Sequence, residues 1–178
     1  MGSELIAALL GAMVAFAGTY LLQRGQFRRA DLEGIRERIG VARGLRADLY
    51  AAKLLTELSI NSKQIPSGMA YPTELWNSQG HRLIAALSQS AEAILIDPFA
   101  RFGALNSIAA GVQTQGASIS LAEGDMLTPD HMAGMLKKID AAIEMLNDLE
   151  REYEARERQL LHPIAIRLKG FPEPDQAK

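Results

Sequence analysis

The residues able to do chemistry are few and scattered. His81, His131 and His162 stand far apart, none lies in an H-E-x-x-H motif, and none has a second histidine at metal-ligand spacing. The densest group of donors is Glu123, Asp125, Asp130 and His131. Its spacing fits no calcium loop. Thr128-Pro129-Asp130 reads more simply as a helix start, with a cap, a proline at the first helical position and an acid near the positive end of the dipole. The chain has no cysteine, which excludes disulfides, thiolate metal sites and a cysteine nucleophile. It has no G-x-S-x-G, Walker or dinucleotide motif, and Gly103, Gly111 and Gly116 are too irregularly spaced to cradle phosphate. Glu150 and Glu154 are expected on an exposed face, where no burial moves either carboxyl toward a catalytic pKa. Trp76 is expected to be a core anchor, because large aromatics mainly bury area. These readings predict no catalytic residue, no metal, no cofactor and no small-molecule ligand.

The one segment with a strong physical meaning is apolar. Leu5 to Leu22 carries no charge, with Glu4 before it and Arg24 after it. As a helix, eighteen residues rise ~27 Å, most of a ~30 Å hydrocarbon core. Tyr20 sits near one end, and Arg24, Arg28 and Arg29 follow as a basic flank. Basic flanks stay cytoplasmic, so the sequence predicts a single-pass anchor over residues 1–24 in the cell's inner (plasma) membrane, with a short N-terminus outside and the bulk of the chain cytoplasmic. The same arginines are the expected contacts to lipid headgroups. Ala7, Gly11, Ala15 and Gly18 share one helix face, where small side chains permit close packing of two membrane helices. Two rival readings are a secretory signal cut near Ala17, after Ala15-Phe16-Ala17, and a buried helix of a soluble protein. The first lacks a basic n-region, and the second seldom contains so long an uncharged run. Gly2 is no myristoylation site, because position 6 is Ile6.

The remainder reads as helices. Leu32, Ile35, Ile39, Ala42, Leu45, Leu49, Ala52, Leu55 and Leu58 form one stripe from Phe27 to about Asn61, with Gly25 as a hinge before it. A short helix opens after Thr73, with Asn77 to Gly80 as a place to split. A third runs from Ser90 to Ala110 and kinks or restarts at Asp97-Pro98. Residues 111–127 read as a loop. The last helix presents Met132, Leu136, Ile139, Ile143, Leu146, Leu149, Tyr153 and Leu160 and ends at His162-Pro163. Residues 164–178 form a tail in which Ile164, Ile166, Leu168 and Phe171 alternate with Arg167 and Lys169, suited to a bilayer surface or to a loose end. No strand-rich region is expected.

The predicted fold is therefore all-α. It has an N-terminal transmembrane helix and, over residues 25–163, an antiparallel bundle of about four helices with coiled-coil character, the first and last long. Charge supports pairing of those two. Residues 24–48 hold seven arginines against four acids, a balance of +3, and residues 129–162 hold eight acids against five bases, −3. Overall charge is only −2 and aromatics are 6%, so neither a basic field nor a stacking surface points to nucleic acid. The layout resembles that of small bacterial inner-membrane proteins with an N-terminal anchor. It implies a non-enzymatic interaction or scaffold protein whose partners are lipid and either protein or a second copy. The alternative is an accessory subunit of a larger membrane complex.

Overall fold

The computed structural model describes residues 2–65, 70–85, 87–113, 119–121 and 127–161; the side chains of 2–9, 112, 113, 119 and 120 lie outside that description. The described residues form a helical bundle of four helices and one two-stranded bridge. In order they are α1 (Gly2–Ser62), β1 (Gln64–Ile65), α2 (Glu74–Ile84), α3 (Gln89–Gln113), β2 (Ile119–Ser120) and α4 (Pro129–Leu161). The chain divides into two compact units, Met1–Glu37 with Ala155–Lys178, and Arg38–Glu154. Each is taken by itself.

In the Arg38–Glu154 unit, α1 buries Ile39, Ala42, Leu45, Leu49 and Ala52, as its periodicity predicts. The stripe then departs from the expected leucines. Leu58 is exposed, and Thr56 and Ser59 are buried in its place. The observed series keeps a three–four alternation that follows the partner surface, which the choice of leucines alone does not. Each hydroxyl is satisfied within the helix: Thr56 Oγ1 donates to Ala52 O and Ser59 Oγ to Leu55 O, both at 2.8 Å. These polar positions therefore leave no orphaned donor in the core.

Gly25 is no hinge, because α1 runs through it unbroken. At its far end Lys63 adopts a left-handed φ of 55°, which turns the chain into β1. The bridge pairs Gln64 with Ser120 and Ile65 with Ile119, antiparallel, in a chain whose sequence predicts no strand-rich region. It closes the connection after α1 against the one before α4, where Leu121 N also donates to Lys63 O at 2.9 Å.

The middle helices are each continuous, α2 where a split is one expectation and α3 where a kink or a restart is. Asn77 to Gly80 does not split α2. A side chain at Gly80 would meet the Trp76 ring at 2.6 Å, so glycine there makes room for the indole. Trp76 is half-buried and stacks on Phe99 with centroids 4.7 Å apart. Phe99 meets Phe102 edge-on, and Phe102 stacks on Tyr71, giving an aromatic chain across α2, α3 and the segment before α2. Asn106 pins that segment by exchanging two bonds with the Tyr71 backbone, at 2.7 and 2.8 Å. Pro98 lies inside unbroken α3, so Asp97 is not the cap of a restarted helix. Its carboxylate instead accepts from Arg101 one turn on and pairs with Lys138 of α4. Ser88 caps α3, accepting from Ala91 N.

Helix α4 begins as predicted. Thr128 Oγ1 accepts from His131 N at 3.3 Å, and Asp130 lies in the first turn. Met132, Ile139, Ile143, Leu146 and Tyr153 are buried as expected, Leu136 and Leu149 only partly. Met135 and Ala142 join the buried face, and so does Glu150.

Candidate functional site

Two features stand out from the packed interior: a charged seam joining α1 to α4, and long exposed apolar stretches of α1. The seam corrects the sequence reading of Glu150 as an exposed acid. Glu150 is only 8% exposed and accepts from both Arg43 and Arg46. Arg43 Nη2 reaches Glu154 at 2.8 Å, and Arg46 Nη1 reaches Asn147 Oδ1 at 2.7 Å. Ten residues further up α1, Lys53 pairs with Asp140, ten residues back down α4, at 2.7 Å. Equal steps in opposite senses define an antiparallel pair. The hydrogen bond from Arg43 and the charges of both arginines hold the Glu150 carboxyl below its ordinary range, and the same contacts raise the Arg43 pKa. The arrangement is a clamp between helices: one arginine donates to each oxygen of the carboxylate, which makes Glu150 a charged and paired core position.

A second carboxylate has the opposite environment. Asp48, half-buried on α1, is raised above its ordinary range by burial and by the nearby charge of Glu74, and no cation pairs with it among the described residues. In the Met1–Glu37 unit, Arg36 Nε donates to Glu157 at 2.7 Å. Arg28 donates to the carbonyl of Leu160 in the last turn of α4, where a cation satisfies an orphaned acceptor and opposes the dipole. Of the three arginines expected at lipid, Arg28 is therefore engaged with protein, while Arg24 and Arg29 are exposed.

The apolar N-terminal segment is exposed wherever its side chains are described. Every described side chain from Leu10 to Phe27 is exposed, with Met13, Val14, Phe16 and Leu22 each about two-thirds or more accessible. Open space surrounds Gly11 and Gly18, and Ala15 is exposed beside them. Ala7, the fourth small residue of that face, lies outside the described side chains. Among the described residues no helix is long and apolar enough to cross a membrane. The expected span over Leu5–Leu22 thus lacks support there; five of its residues, Leu5 to Leu9, lie outside the described side chains.

The other expected positions are dispersed. His131 Nδ1 meets Thr128 Oγ1 at 3.0 Å, so the ring completes the helix cap. His162, Glu123, Asp125 and the tail lie outside the described residues, among which no group of three or more histidine, cysteine or acidic side chains is placed to hold a metal. A cleft of about 140 Å³ separates α3 from the start of α4 and is lined mainly by Leu105, Ile108, Leu127, Met132 and Met135. Arg101 borders it but donates to Asp97 at 3.1 Å. Compared with known proteins, the chain matches no family model, no curated protein and no solved structure.

Proposed function

We propose that this chain is a membrane-anchored helical interaction protein, with Leu5–Leu22 crossing the bilayer once and the helical bundle held on the cytoplasmic side. The observation that carries the reading is the exposure, on every face, of the described apolar side chains from Leu10 to Leu22. An amphipathic helix in water hides one stripe; a helix apolar all round needs a nonpolar surrounding. Hydrocarbon supplies it at no cost in backbone hydrogen bonds, which an α-helix satisfies internally. The one hydroxyl of the described part of the run that lacks an aromatic ring is also satisfied there, since Thr19 Oγ1 donates to Ala15 O at 2.9 Å. Arg24 and Arg29, exposed just beyond the run, fit the cytoplasmic lipid surface and set the orientation. Gly11, Ala15 and Gly18 offer a close-packing face within the bilayer.

Val14→Arg tests the reading. Val14 is 72% exposed, so on a helix in water the substitution is nearly neutral. At mid-bilayer an arginine costs about 2.5–3.5 kcal/mol or more. The expected result is loss of carbonate-resistant membrane association with unchanged helicity. Retention of the variant in membranes, or a wild-type chain soluble without detergent, refutes it. Digestion of the bundle by protease added outside intact cells refutes the orientation.

A further inference from the structure

Within the Arg38–Glu154 unit, α1 carries a second apolar stripe opposite the one it buries. Ala47, Tyr50, Ala51, Leu54 and Leu58 are all exposed, and Leu54 is 61% accessible. Positions 47, 51, 54 and 58 alternate by four and three, the spacing of a coiled-coil seam, whereas scattered exposed leucines have no period. Ala47 and Ala51 are small and Leu54 and Leu58 large, so a parallel pair sets like against like, with the closest approach of the backbones at the alanines. The edges of the stripe are complementary as well. Arg43 lies along one edge and is half exposed, with its Nε and one Nη engaged by Glu150 and Glu154. Asp48 lies along the other edge, five residues on, with no cation beside it among the described residues. Flanking positions five residues apart are the ones that meet across a parallel two-stranded seam.

We infer that α1 pairs in parallel with α1 of a second copy of this chain through Ala47, Ala51, Leu54 and Leu58, Arg43 of each copy facing Asp48 of the other. The parallel sense rests on the membrane reading above, because two chains anchored in one bilayer by the same segment run the same way. The stripe covers only about three turns. Confinement to a membrane raises the effective concentration that so short a seam needs.

The absence of cysteine makes single-cysteine scanning of the full chain clean. Ala47→Cys, Leu54→Cys and Leu58→Cys are each reconstituted in liposomes and oxidised with copper-phenanthroline. Each is expected to form a disulfide with its own equivalent, while Asp148→Cys, exposed on α4, stays monomeric. Adding Leu54→Lys to Ala47→Cys should lower crosslinking at least tenfold with unchanged circular dichroism. No disulfide at any of the three positions overturns the inference. Crosslinking only between mixed Ala47→Cys and Leu58→Cys chains also overturns it, since that marks an antiparallel pair. Carbonate extraction of the same liposomes reads the anchor separately, so release from the membrane condemns the anchoring and not the seam.

Discussion

Gly80→Ala and Gly134→Ala make the same chemical change in helix interiors and should move stability in opposite directions. Replacing a helical glycine with alanine favours the helix by about 0.8–1 kcal/mol. At Gly134, on α4, the added methyl meets nothing within 4 Å, so the full gain is expected. At Gly80 the methyl falls 2.6, 2.9 and 3.0 Å from three atoms of the Trp76 ring. That ring cannot swing aside freely, because Phe99 stacks on it at 4.7 Å with planes 3° apart. Overpacking of this kind costs about 1–3 kcal/mol, and loss of the stack about 0.5–1.5. Set against the helix gain, the net is a loss of about 0.5–3.7 kcal/mol. Thermal melts of the full chain in mild detergent, followed by circular dichroism, should show Gly134→Ala melting roughly 2–4 °C higher than wild type and Gly80→Ala melting lower. Trp76 fluorescence should also shift in the second variant alone. Equal stabilisation by both substitutions would refute the placement of Trp76 between α2 and α3.

Phe102→Ala removes a fully buried ring at the centre of the aromatic chain and should cost about 3–5 kcal/mol in denaturant titrations. Thr128→Ala removes the bond to His131 N and should cost about 1 kcal/mol, whereas Thr128→Ser should cost little. Glu150→Gln should alter the acid limb of stability. A carboxyl lowered in the folded state stabilises fully above its ordinary value of about 4.3, and that contribution disappears as pH falls through the native value. The variant should be less stable than wild type at pH 7, and the gap should narrow toward pH 3; a pH-independent gap refutes the ion pairing. Asp48→Asn has the reverse sign in the monomeric chain, where no second copy brings Arg43 to it. A carboxyl raised in the folded state is unfavourable above its native pKa, so the variant should stabilise the unit at pH 7 and lose that advantage in acid, as melts at the two pH values will show.

The helices were legible because their signals are local. Thr128-Pro129-Asp130 marks the start of α4 through capping chemistry, and the leucines and isoleucines of α1 mark its buried face until Ala52. What failed depends on tertiary context. At Pro98 the sequence offers a kink or a restart, and α3 runs through the proline as one helix, with Asp97 held by Arg101 and Lys138 rather than capping a new start. Gly80 looked like a breaker because its reason for being glycine is the Trp76 ring one turn earlier. By residue type Leu55 and Leu58 read as better core positions than Thr56 and Ser59, since composition cannot show that a hydroxyl bonds back to its own helix. The short bridge at β1 has too few residues to leave a period. Of the candidate site, the charge balance between the two long helices was visible in sequence, but the buried position of Glu150 was not. An acid at a core position reads as solvent-facing until the arginines that reach it are placed.

The direction of the α1–α4 pair follows from where the charges sit along each helix. In the Arg38–Glu154 unit the arginines of α1 are Arg38, Arg43 and Arg46, all in the first part of its run, and the acids of α4 cluster late, at Asp148, Glu150, Glu152 and Glu154. A parallel pairing would set the arginines beside Met132 to Ile139, where Lys137 and Lys138 are the near charges. Only the antiparallel arrangement brings Arg43 and Arg46 to Glu150 and leaves Lys53 for Asp140. Exposed pairs of this type contribute about 0–1 kcal/mol each, so they do not hold the helices together. Burial of Leu45, Leu49, Ile139 and Leu146 does that, at roughly 1.5–3 kcal/mol for each large side chain. Apolar contact is indifferent to direction, and charge is not. Placing Glu150 at a core position makes the wrong direction costly, because a carboxylate buried without its arginines is penalised far more than a paired one is rewarded.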